Sequence, residues 1–244
     1  MSESKRQLFA VVTGGTKGIG LGVSRMLAGR GYRVLATFAG DEHSARMAET
    51  FDGPGSIVAC RCDQSSAENV AALVEHIRRT ATSVDCLVCN AGITVRKPME
   101  ETTDADWNAM MQVSVGAHFA MVRDLRPLFA DTARIIFTGS LMGLYPHAMQ
   151  VGYGVTKAAV HALARNLVKE FEGTAITVNV VAPGFVETEW QKQKPEEIRA
   201  NICRKVAAGR FATVDEIVAA YAFCLDNAYL NGATLEVSGG YSYK

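Results

Sequence analysis

Short apolar runs alternate with longer helical patterns along this chain, and the alternation limits the folds that it can form. The runs occupy residues 8–13, 33–38, 56–62, 84–89, 134–139, 176–182 and 233–239. The helical patterns lie near residues 18–30, 42–51, 66–80, 104–125, 151–171, 196–205 and 214–225. Strands that are apolar on both faces and are separated by helices form parallel sheets with helices on both sides. The alternation therefore predicts a doubly wound α/β fold.

The pattern continues from end to end without a linker, a repeat or a low-complexity tract. A chain of 244 residues is close to the largest that one hydrophobic core supports. We therefore predict a single domain that covers residues 1–244.

The charge of the chain argues against two classes of partner. It has 25 basic and 25 acidic residues, so no overall field attracts it to nucleic acid or to a membrane surface. The longest nearly uncharged run, residues 175–186, is too short to span a membrane. The polar start MSESKRQ lacks the apolar region of a signal peptide. We therefore expect a cytoplasmic protein whose partner is neither a nucleic acid nor a membrane.

Two of the six cysteines, Cys86 and Cys89, have the spacing of a redox or zinc pair. They lie in the run VDCLVC, which is predicted to be a buried strand. Residues three apart in a strand point to opposite faces, which argues against a shared metal ion or disulfide. No second group of cysteines and histidines has ligand spacing. We predict no metal site and interpret the cysteines as small buried thiols.

A glycine-rich stretch, VVTGGTKGIG over residues 11–20, connects the first apolar run to the first helix. In a parallel sheet, ligands bind beyond the carboxyl ends of the strands, and this turn lies at such an end. Glycines there allow a tight turn and let a pyrophosphate approach the N–H groups at the helix N-terminus. This stretch, which contains Gly14, Thr16, Lys17, Gly18, Ile19 and Gly20, is therefore a candidate dinucleotide-binding turn.

Four motifs together resemble those of the short-chain dehydrogenases/reductases. They are Thr13-Gly14-x-x-x-Gly18-x-Gly20, Asn90-Ala91-Gly92 after the fourth run, Ser140 with Tyr153-x-x-x-Lys157, and Pro183-Gly184 after the sixth run. The resemblance covers essentially the whole chain. It implies a Rossmann-type fold with a seven-stranded sheet, a nicotinamide dinucleotide as cofactor, and redox chemistry between a carbonyl compound and an alcohol.

The resemblance gives catalytic roles to a tyrosine and a lysine that lie one helical turn apart. On a helix over residues 151–171, Tyr153 and Lys157 are i and i+4 and share a face. A nearby ammonium favours phenolate, so we expect the pKa of Tyr153 to be lowered from about 10 and the phenol to act as a general acid. Ser140 can donate a hydrogen bond to the same carbonyl oxygen. Lys157 would also bind the nicotinamide ribose.

One position departs from the family pattern. Members usually have an asparagine seven residues after a tryptophan, where it helps to hold a water that relays protons to the lysine. Trp107 is present, but the matching residue is Ser114. A serine can hold water through its hydroxyl or its backbone carbonyl, with a shorter reach. We assign Ser114 to the proton relay. We expect the relay to differ from that of typical family members and the hydride step to be the same.

The choice between NAD and NADP depends on charge near the end of the second run. NAD-dependent members usually place an acid there, which would repel a 2′-phosphate, whereas this chain has Phe38. Lys17 resembles the basic residue of NADP-using members, since a phosphate needs at least one cation. These features favour NADPH, and the nearby Asp41 argues against it.

The resemblance assigns further residues to the cofactor. Asp63 would contact the adenine, although an acid after a strand is also common as a helix cap. Thr188 would contact the nicotinamide carboxamide. The remaining residues implied to bind the dinucleotide are Asn90, Ala91, Gly92, Tyr153, Lys157, Pro183, Gly184 and Val186.

Within the family, the stretches ITVNVVAPGFVETEW, KVAAGRF and GATLEVSGGY resemble the 3-oxoacyl-(acyl-carrier-protein) reductases most. This favours NADPH-dependent reduction of a 3-oxoacyl thioester in fatty acid or polyketide-type synthesis. Residues 185–210 would form a lid, whose cations suit phosphopantetheine or an acidic acyl carrier protein. They are Lys192, Lys194, Arg199, Arg204 and Lys205. Residues 128–133 lack the basic cluster of typical carrier-protein reductases, which weakens the case for that partner.

Two alternatives stay open. The chain could reduce or oxidise another ketone or alcohol, such as a sugar or a steroid. It could also bind a nicotinamide cofactor without turnover, as a regulatory protein. Relatives are usually homotetramers, and the apolar content of residues 104–125 and 151–171 is consistent with that assembly.

Overall fold

A computed structural model describes residues 6–241 of the chain. Seven parallel strands form one sheet in the order β3-β2-β1-β4-β5-β6-β7. The strands are β1 (Phe9–Val12), β2 (Arg33–Phe38), β3 (Ser56–Arg61), β4 (Val84–Cys89), β5 (Phe129–Thr138), β6 (Thr177–Pro183) and β7 (Thr234–Val237). The strand order reverses between β1 and β4, as in doubly wound folds. The predicted Rossmann-type, single-domain α/β fold is confirmed.

Helices cover both faces of the sheet. They are α1 (Gly18–Gly29), α2 (Glu42–Glu49), α3 (Ala67–Thr80), α4 (Asp104–Met111), α5 (Ala117–Leu125), α6 (Val151–Glu170), α7 (Glu189–Lys192), α8 (Glu196–Lys205) and α9 (Val214–Asp226). On one face, Val11 packs with residues of α3, α5 and α6. On the other face, Val12 packs with residues of α1 and α9. Successive strand residues therefore enter two separate cores.

The two cysteines of β4 follow the same alternation. Cys86 lies in the core beneath α1 and α9, and Cys89 lies in the core beneath α3, α5 and α6. The expectation that these two thiols face away from each other is confirmed.

Polar side chains begin several of the helices. The Ser66 hydroxyl accepts a hydrogen bond from the Asn69 N–H at 3.1 Å, so the predicted start of α3 is confirmed. Thr213 and Glu216 form a reciprocal capping box at the start of α9. Such caps satisfy N–H groups that have no partner within the helix.

Besides the short helix α7, which was not predicted, the structure differs from the predicted elements in two places. β5 begins at Phe129, five residues before the predicted run, because Phe129 pairs with Val84 across a shift in register. The helix predicted over residues 104–125 is divided by one π-helical turn, Gln112–Gly116, which joins α4 to α5. There the Ala117 N–H bonds to the Gln112 carbonyl, five residues back. Such turns are frequent at functional sites.

In the described part of the chain, no helix combines the length and the apolar character that crossing a membrane requires. Residues 6–241 also contain no cluster of three or more His, Cys, Asp or Glu side chains placed to hold a metal ion.

Candidate active site

The predicted site residues follow four neighbouring strands at the same edge of the sheet. The glycine-rich loop follows β1, Asn90 follows β4, Ser140 follows β5, and Gly184 follows β6. Because all seven strands are parallel, their carboxyl ends form one edge, where ligands bind in this class of fold. The structure therefore brings together segments that are far apart in the sequence.

Glycine is required at three points of the loop between β1 and α1. Gly14 and Gly18 have φ angles of 61° and 54°, which other residues adopt rarely. A Cβ on Gly20 would lie 2.1 Å from the Gly14 carbonyl oxygen. Helix α1 begins at Gly18 with no acid in its first turn and no side-chain cap from any described residue. Its free N–H groups fit a pyrophosphate.

Asn90 ties the strand ends together. Its side-chain amide donates to the Thr13 carbonyl at 3.0 Å, and its amide oxygen accepts from the Thr138 hydroxyl at 3.1 Å. The N–H groups of Asn90 and Ala91 both donate to the Thr13 hydroxyl. The side chain of Asn90 is thus engaged with protein, and its assignment to the cofactor still depends on the family resemblance.

Lys157 is buried beneath the candidate tyrosine on α6. Only 3% of its surface is exposed, and its ammonium donates to the Thr138 carbonyl at 2.7 Å. Its Nζ lies 5.7 Å from the centroid of the Tyr153 ring. Burial lowers the pKa of Lys157 to about 8, because an ammonium without water is less stable than a neutral amine.

The expectation that the pKa of Tyr153 is lowered is wrong for the chain without a bound cofactor. Burial raises the pKa of the phenol, and a polar contact with the Ser140 hydroxyl only opposes the rise. The Lys157 ammonium sits against the ring and donates to a backbone carbonyl. It therefore does not offset the loss of water around the phenol oxygen.

The hydroxyl of Ser140 is oriented by the turn that follows β5. Its oxygen accepts a hydrogen bond from the Met142 N–H at 3.1 Å. Because the oxygen is held as an acceptor, the hydroxyl hydrogen is free to donate. The Ser140 hydroxyl is also near enough to Tyr153 to oppose the rise in the pKa of the phenol, so the two hydroxyls lie in the same part of the site.

Ser114 lies in the π-helical turn and is fully buried. Its hydroxyl has no hydrogen-bond partner among the described residues. A Cβ on Gly92 would lie 3.6 Å from the Ser114 Oγ and 3.4 Å from the Lys157 Nζ. The absence of a side chain on Gly92 therefore leaves room between the hydroxyl and the ammonium. A buried polar atom of this kind is suited to holding a water.

A cavity of about 350 Å³ lies beyond the ends of β2 and β3. Its lining residues are Ala39, Arg61, Cys62, Asp63 and Asn69. Asp63 has one carboxylate oxygen engaged with Ser65, in a local turn. Arg61, which the sequence analysis did not single out, pairs with Phe38 in the sheet and donates to the Ala39 carbonyl at 3.2 Å.

Two opposite charges meet where the glycine-rich loop approaches the start of α2. The Lys17 ammonium lies 3.8 Å from the Asp41 carboxylate, and both side chains are substantially exposed. The same carboxylate caps α2 by accepting from the Ser44 N–H and hydroxyl. These hydrogen bonds lower the pKa of Asp41.

The segment predicted as a lid leaves the sheet at Pro183 and contains α7 and α8. Its first part is anchored by a bridge between Val186 and Ala212. Thr188 lies next to the glycine-rich loop, since a Cβ on Gly18 would be 3.5 Å from its methyl carbon. Segment 185–210 thus reaches the predicted dinucleotide site.

Among the described residues, some cations of this lid segment form ion pairs with carboxylates of the same segment, and others do not. Lys192 pairs with Glu189, and Arg199 pairs with Glu187. Lys194 instead lies close to another cation, Arg96, which follows β4. Burial and the Arg96 charge both lower the pKa of Lys194.

Two buried histidines near the site were not predicted. His161 follows Lys157 by one turn of α6, and its Nε2 accepts from the Ser140 N–H at 3.4 Å. His118 follows Ser114 by four residues, and neither ring nitrogen has a partner among the described residues. The spacing of four from Lys157 and from Ser114 was the only sequence signal for them.

Comparisons with known proteins agree with this arrangement. A family model described as short chain dehydrogenase matches residues 8–199. The 3-oxoacyl-(acyl-carrier-protein) reductase of Escherichia coli is 34% identical over 237 residues, which cover 95% of this chain and 96% of that protein. The reductase of the same name from Pseudomonas aeruginosa is 32% identical over 242 residues, with coverage of 95% and 96%.

Solved structures show the same fold. A short-chain dehydrogenase/reductase from Serratia marcescens has a TM-score of 0.89 and 28% identity, covering 98% of this chain and 100% of that chain. A blue fluorescent protein from a metagenomic library, solved with NADPH, has a TM-score of 0.89 and 28% identity with the same coverage. A short chain dehydrogenase from Burkholderia cenocepacia, solved with NADP, has a TM-score of 0.88 and 26% identity, covering 96% and 97%.

Proposed function

The chain belongs to the short-chain dehydrogenase family of oxidoreductases, and we propose that it uses NADPH to reduce a 3-oxoacyl thioester to the 3-hydroxyacyl thioester. The observation that carries the proposal is the meeting of Ser140, Tyr153 and Lys157 at the carboxyl edge of the sheet. A hydroxyl pair above a buried ammonium suits the protonation of a carbonyl oxygen as it gains negative charge.

The residues at this edge fit a dinucleotide. The uncapped start of α1 and the close approach of Gly14 and Gly20 would hold the pyrophosphate. The cavity beside Asp63 would hold the adenosine. Thr188 and the segment after Pro183 would hold the nicotinamide end. When bound, the reduced dinucleotide supplies the hydride.

The chain's own residues supply the proton. Because its pKa is raised, Tyr153 keeps its proton at neutral pH until a carbonyl oxygen that gains negative charge takes it. Ser140 donates a hydrogen bond to the same oxygen and holds it in place. Lys157, cationic below about pH 8, then gives a proton back to the phenolate that remains. Ser114 and the space at Gly92 provide a place for the water from which Lys157 recovers a proton.

Two observations support a thioester substrate carried on phosphopantetheine. Curated relatives at 32–34% identity are 3-oxoacyl-(acyl-carrier-protein) reductases. The Arg96 charge also helps to lower the pKa of Lys194, and neither side chain forms an ion pair with any described carboxylate. Two cations that repel each other and have no counter-ion among the described residues suit a phosphate group. We extend the proposal to an acyl carrier protein as the donor of the thioester.

Exposed apolar side chains on α5 and α6 support assembly into a homotetramer. Phe119, Val151 and Val155 are each more than 40% exposed. Apolar side chains exposed on neighbouring helix faces are a common feature of interfaces between identical chains.

The substrate test compares three carbonyl compounds by the absorbance of NADPH. They are the acetoacetyl thioester of phosphopantetheine, the acetoacetyl thioester of N-acetylcysteamine, and a simple cyclic ketone. We expect the first two to be reduced and the first to have the lower KM. Replacing both Arg96 and Lys194 with alanine should raise only the KM of the phosphopantetheine thioester, by about tenfold or more. Lys192→Ala, which removes a lid lysine already paired with Glu189, is the matched control.

Each failure of this test has its own meaning. Oxidation of NADPH only with the cyclic ketone would overturn the thioester proposal. Binding of NADPH without oxidation by any of the three compounds would favour the non-catalytic alternative. An equal increase in KM for both thioesters in the double variant would show that Arg96 and Lys194 do not bind the phosphate.

A further inference from the structure

His161 contacts the backbone of the proposed hydrogen-bond donor Ser140. Only 2% of the residue is exposed, and its Nε2 accepts the Ser140 N–H at 3.4 Å. A ring nitrogen can accept only when it bears no proton. The contact therefore requires a neutral imidazole with its proton on Nδ1.

The ring also fills the space next to Gly139 and Gly143, the glycines that lie before and after Ser140. A Cβ on Gly139 would lie 2.1 Å from the His161 Nε2, and a Cβ on Gly143 would lie 2.9 Å from its Cε1. A Cβ on Gly143 would also lie 2.7 Å from the backbone carbon of Lys157. The turn therefore packs directly against α6, with the imidazole between the two glycines.

The surroundings keep this imidazole neutral. Burial, the Lys157 ammonium and the Arg165 guanidinium together lower the pKa of His161 to about 4. The Nδ1 has no hydrogen-bond partner among the described residues. At neutral pH the ring thus has an unprotonated nitrogen available for Ser140.

We propose that His161 is a positioning residue for Ser140: its Nε2 accepts the Ser140 N–H and its ring fills the space between Gly139 and Gly143, which fixes the turn that aims the Ser140 hydroxyl. Because Tyr153, Lys157 and His161 are spaced by four on α6, one helix face holds the acid, the cation and the support for the second hydroxyl. The inference rests on the proposed function for the role of Ser140.

Three substitutions separate positioning from simple packing. Gln places a side-chain oxygen near the position of Nε2, Asn places one near the position of Nδ1, and Leu fills the space without an acceptor. We expect His161→Gln to keep a kcat close to that of the parent. His161→Asn and His161→Leu should lower kcat by about 10- to 100-fold, with little change in KM or in NADPH affinity measured by fluorescence. Equal losses for Gln and Leu would overturn the proposal.

A double-mutant cycle tests whether the effect passes through Ser140. In a Ser140→Ala background, His161→Leu should cause little further loss of kcat, since the group that it positions is already absent. Full additivity of the two losses would contradict the proposal. The cycle can be measured with any ketone that the chain reduces, so it does not depend on the thioester being the substrate.

A spectroscopic measurement keeps the inference testable without turnover. In protein labelled with ¹⁵N-histidine, the His161 signals, assigned by their loss in His161→Gln, should show a neutral ring protonated on Nδ1 between pH 6 and 8. A ring protonated on Nε2, or a cationic ring in that range, would overturn the proposal. A failed substrate test combined with the expected tautomer would instead locate the error in the proposed function.

Discussion

The Lys157 ammonium lies 5.7 Å from the centroid of the Tyr153 ring, and its hydrogen bond goes to the Thr138 carbonyl at 2.7 Å. The lysine is thus held by the sheet rather than by the phenol. Its charge is also almost completely buried, which is costly in the absence of a carboxylate partner. The needs of folding therefore do not explain the position of Lys157, whereas the proposed catalytic role does.

Removal of this charge should stabilise the fold while abolishing activity. Burial lowers the pKa of Lys157 from 10.5 to about 8, which corresponds to a cost of about 3 kcal/mol at pH 7. Lys157→Met would also lose the hydrogen bond to the Thr138 carbonyl. The loss of this bond reduces the expected gain in stability by about 1 kcal/mol. We therefore expect the free energy of unfolding at pH 7 to rise by about 2 kcal/mol, measured by urea denaturation.

The pH dependence of this gain has a definite sign. Between pH 8 and 10.5 the unfolded parent chain binds more protons at Lys157 than the folded chain, so the parent becomes more stable as pH rises. The advantage of Lys157→Met should shrink through that range. Lys169→Met, which changes an exposed lysine of the same helix, should alter stability by less than about 0.5 kcal/mol. A less stable Lys157→Met protein at pH 7 would contradict this account of the site.

Tyr153→Phe should lower kcat by about 10²- to 10⁴-fold, the usual contribution of a general acid. The ring remains, so NADPH should still bind with unchanged affinity in a fluorescence titration. Single-turnover oxidation of bound NADPH separates the loss of the proton donor from slow product release. A variant with the full parental rate would show that another group protonates the carbonyl oxygen.

The order of strands and helices was predictable because it depends on local patterns. Apolar runs separated by helical segments predicted a parallel sheet. In a parallel sheet, all the loops that follow the carboxyl ends of the strands lie at one edge. The approximate positions of the glycine-rich loop and of Ser140 followed from that geometry, whereas Tyr153 and Lys157 were identified through the family resemblance. The structure then brought these segments together as expected.

The properties that depend on tertiary packing were not predictable. The rise in the Tyr153 pKa reflects the loss of water around the phenol, which the spacing of Tyr153 and Lys157 does not reveal. His161 resembled any buried histidine of a helix, since its contact depends on Gly139 and Gly143 from a distant turn. The π-helical turn at Ser114 likewise has no signal in the pattern of apolar residues.

Ser114→Asn should leave turnover equal or faster. The Ser114 hydroxyl is buried without a partner among the described residues, next to the space between Gly92 and Lys157. An amide reaches further into that space and can hold a water more firmly, which favours the return of protons to Lys157. Ser114→Ala, which removes the hydroxyl, should be slower than both. The measurement is kcat together with its solvent isotope effect, which should be smallest for the asparagine variant.

The opposite outcome for Ser114 would have a clear meaning. A folded Ser114→Asn protein, judged by its circular dichroism and thermal midpoint, that has lost its activity would show that position 114 does not serve the proton relay.

The preference for NADPH should depend on the pair Lys17 and Asp41, whose charged groups lie 3.8 Å apart. Lys17→Ala removes a cation and leaves the Asp41 carboxylate, so kcat/KM for NADPH should fall by about 10- to 100-fold, while the value for NADH changes little. Asp41→Asn keeps a side-chain oxygen that can cap α2 but removes the negative charge, so kcat/KM for NADPH should rise. Steady-state kinetics with both cofactors provide the comparison. Equal losses for NADPH and NADH in Lys17→Ala would mean that Lys17 shapes the glycine-rich loop instead of binding the 2′-phosphate.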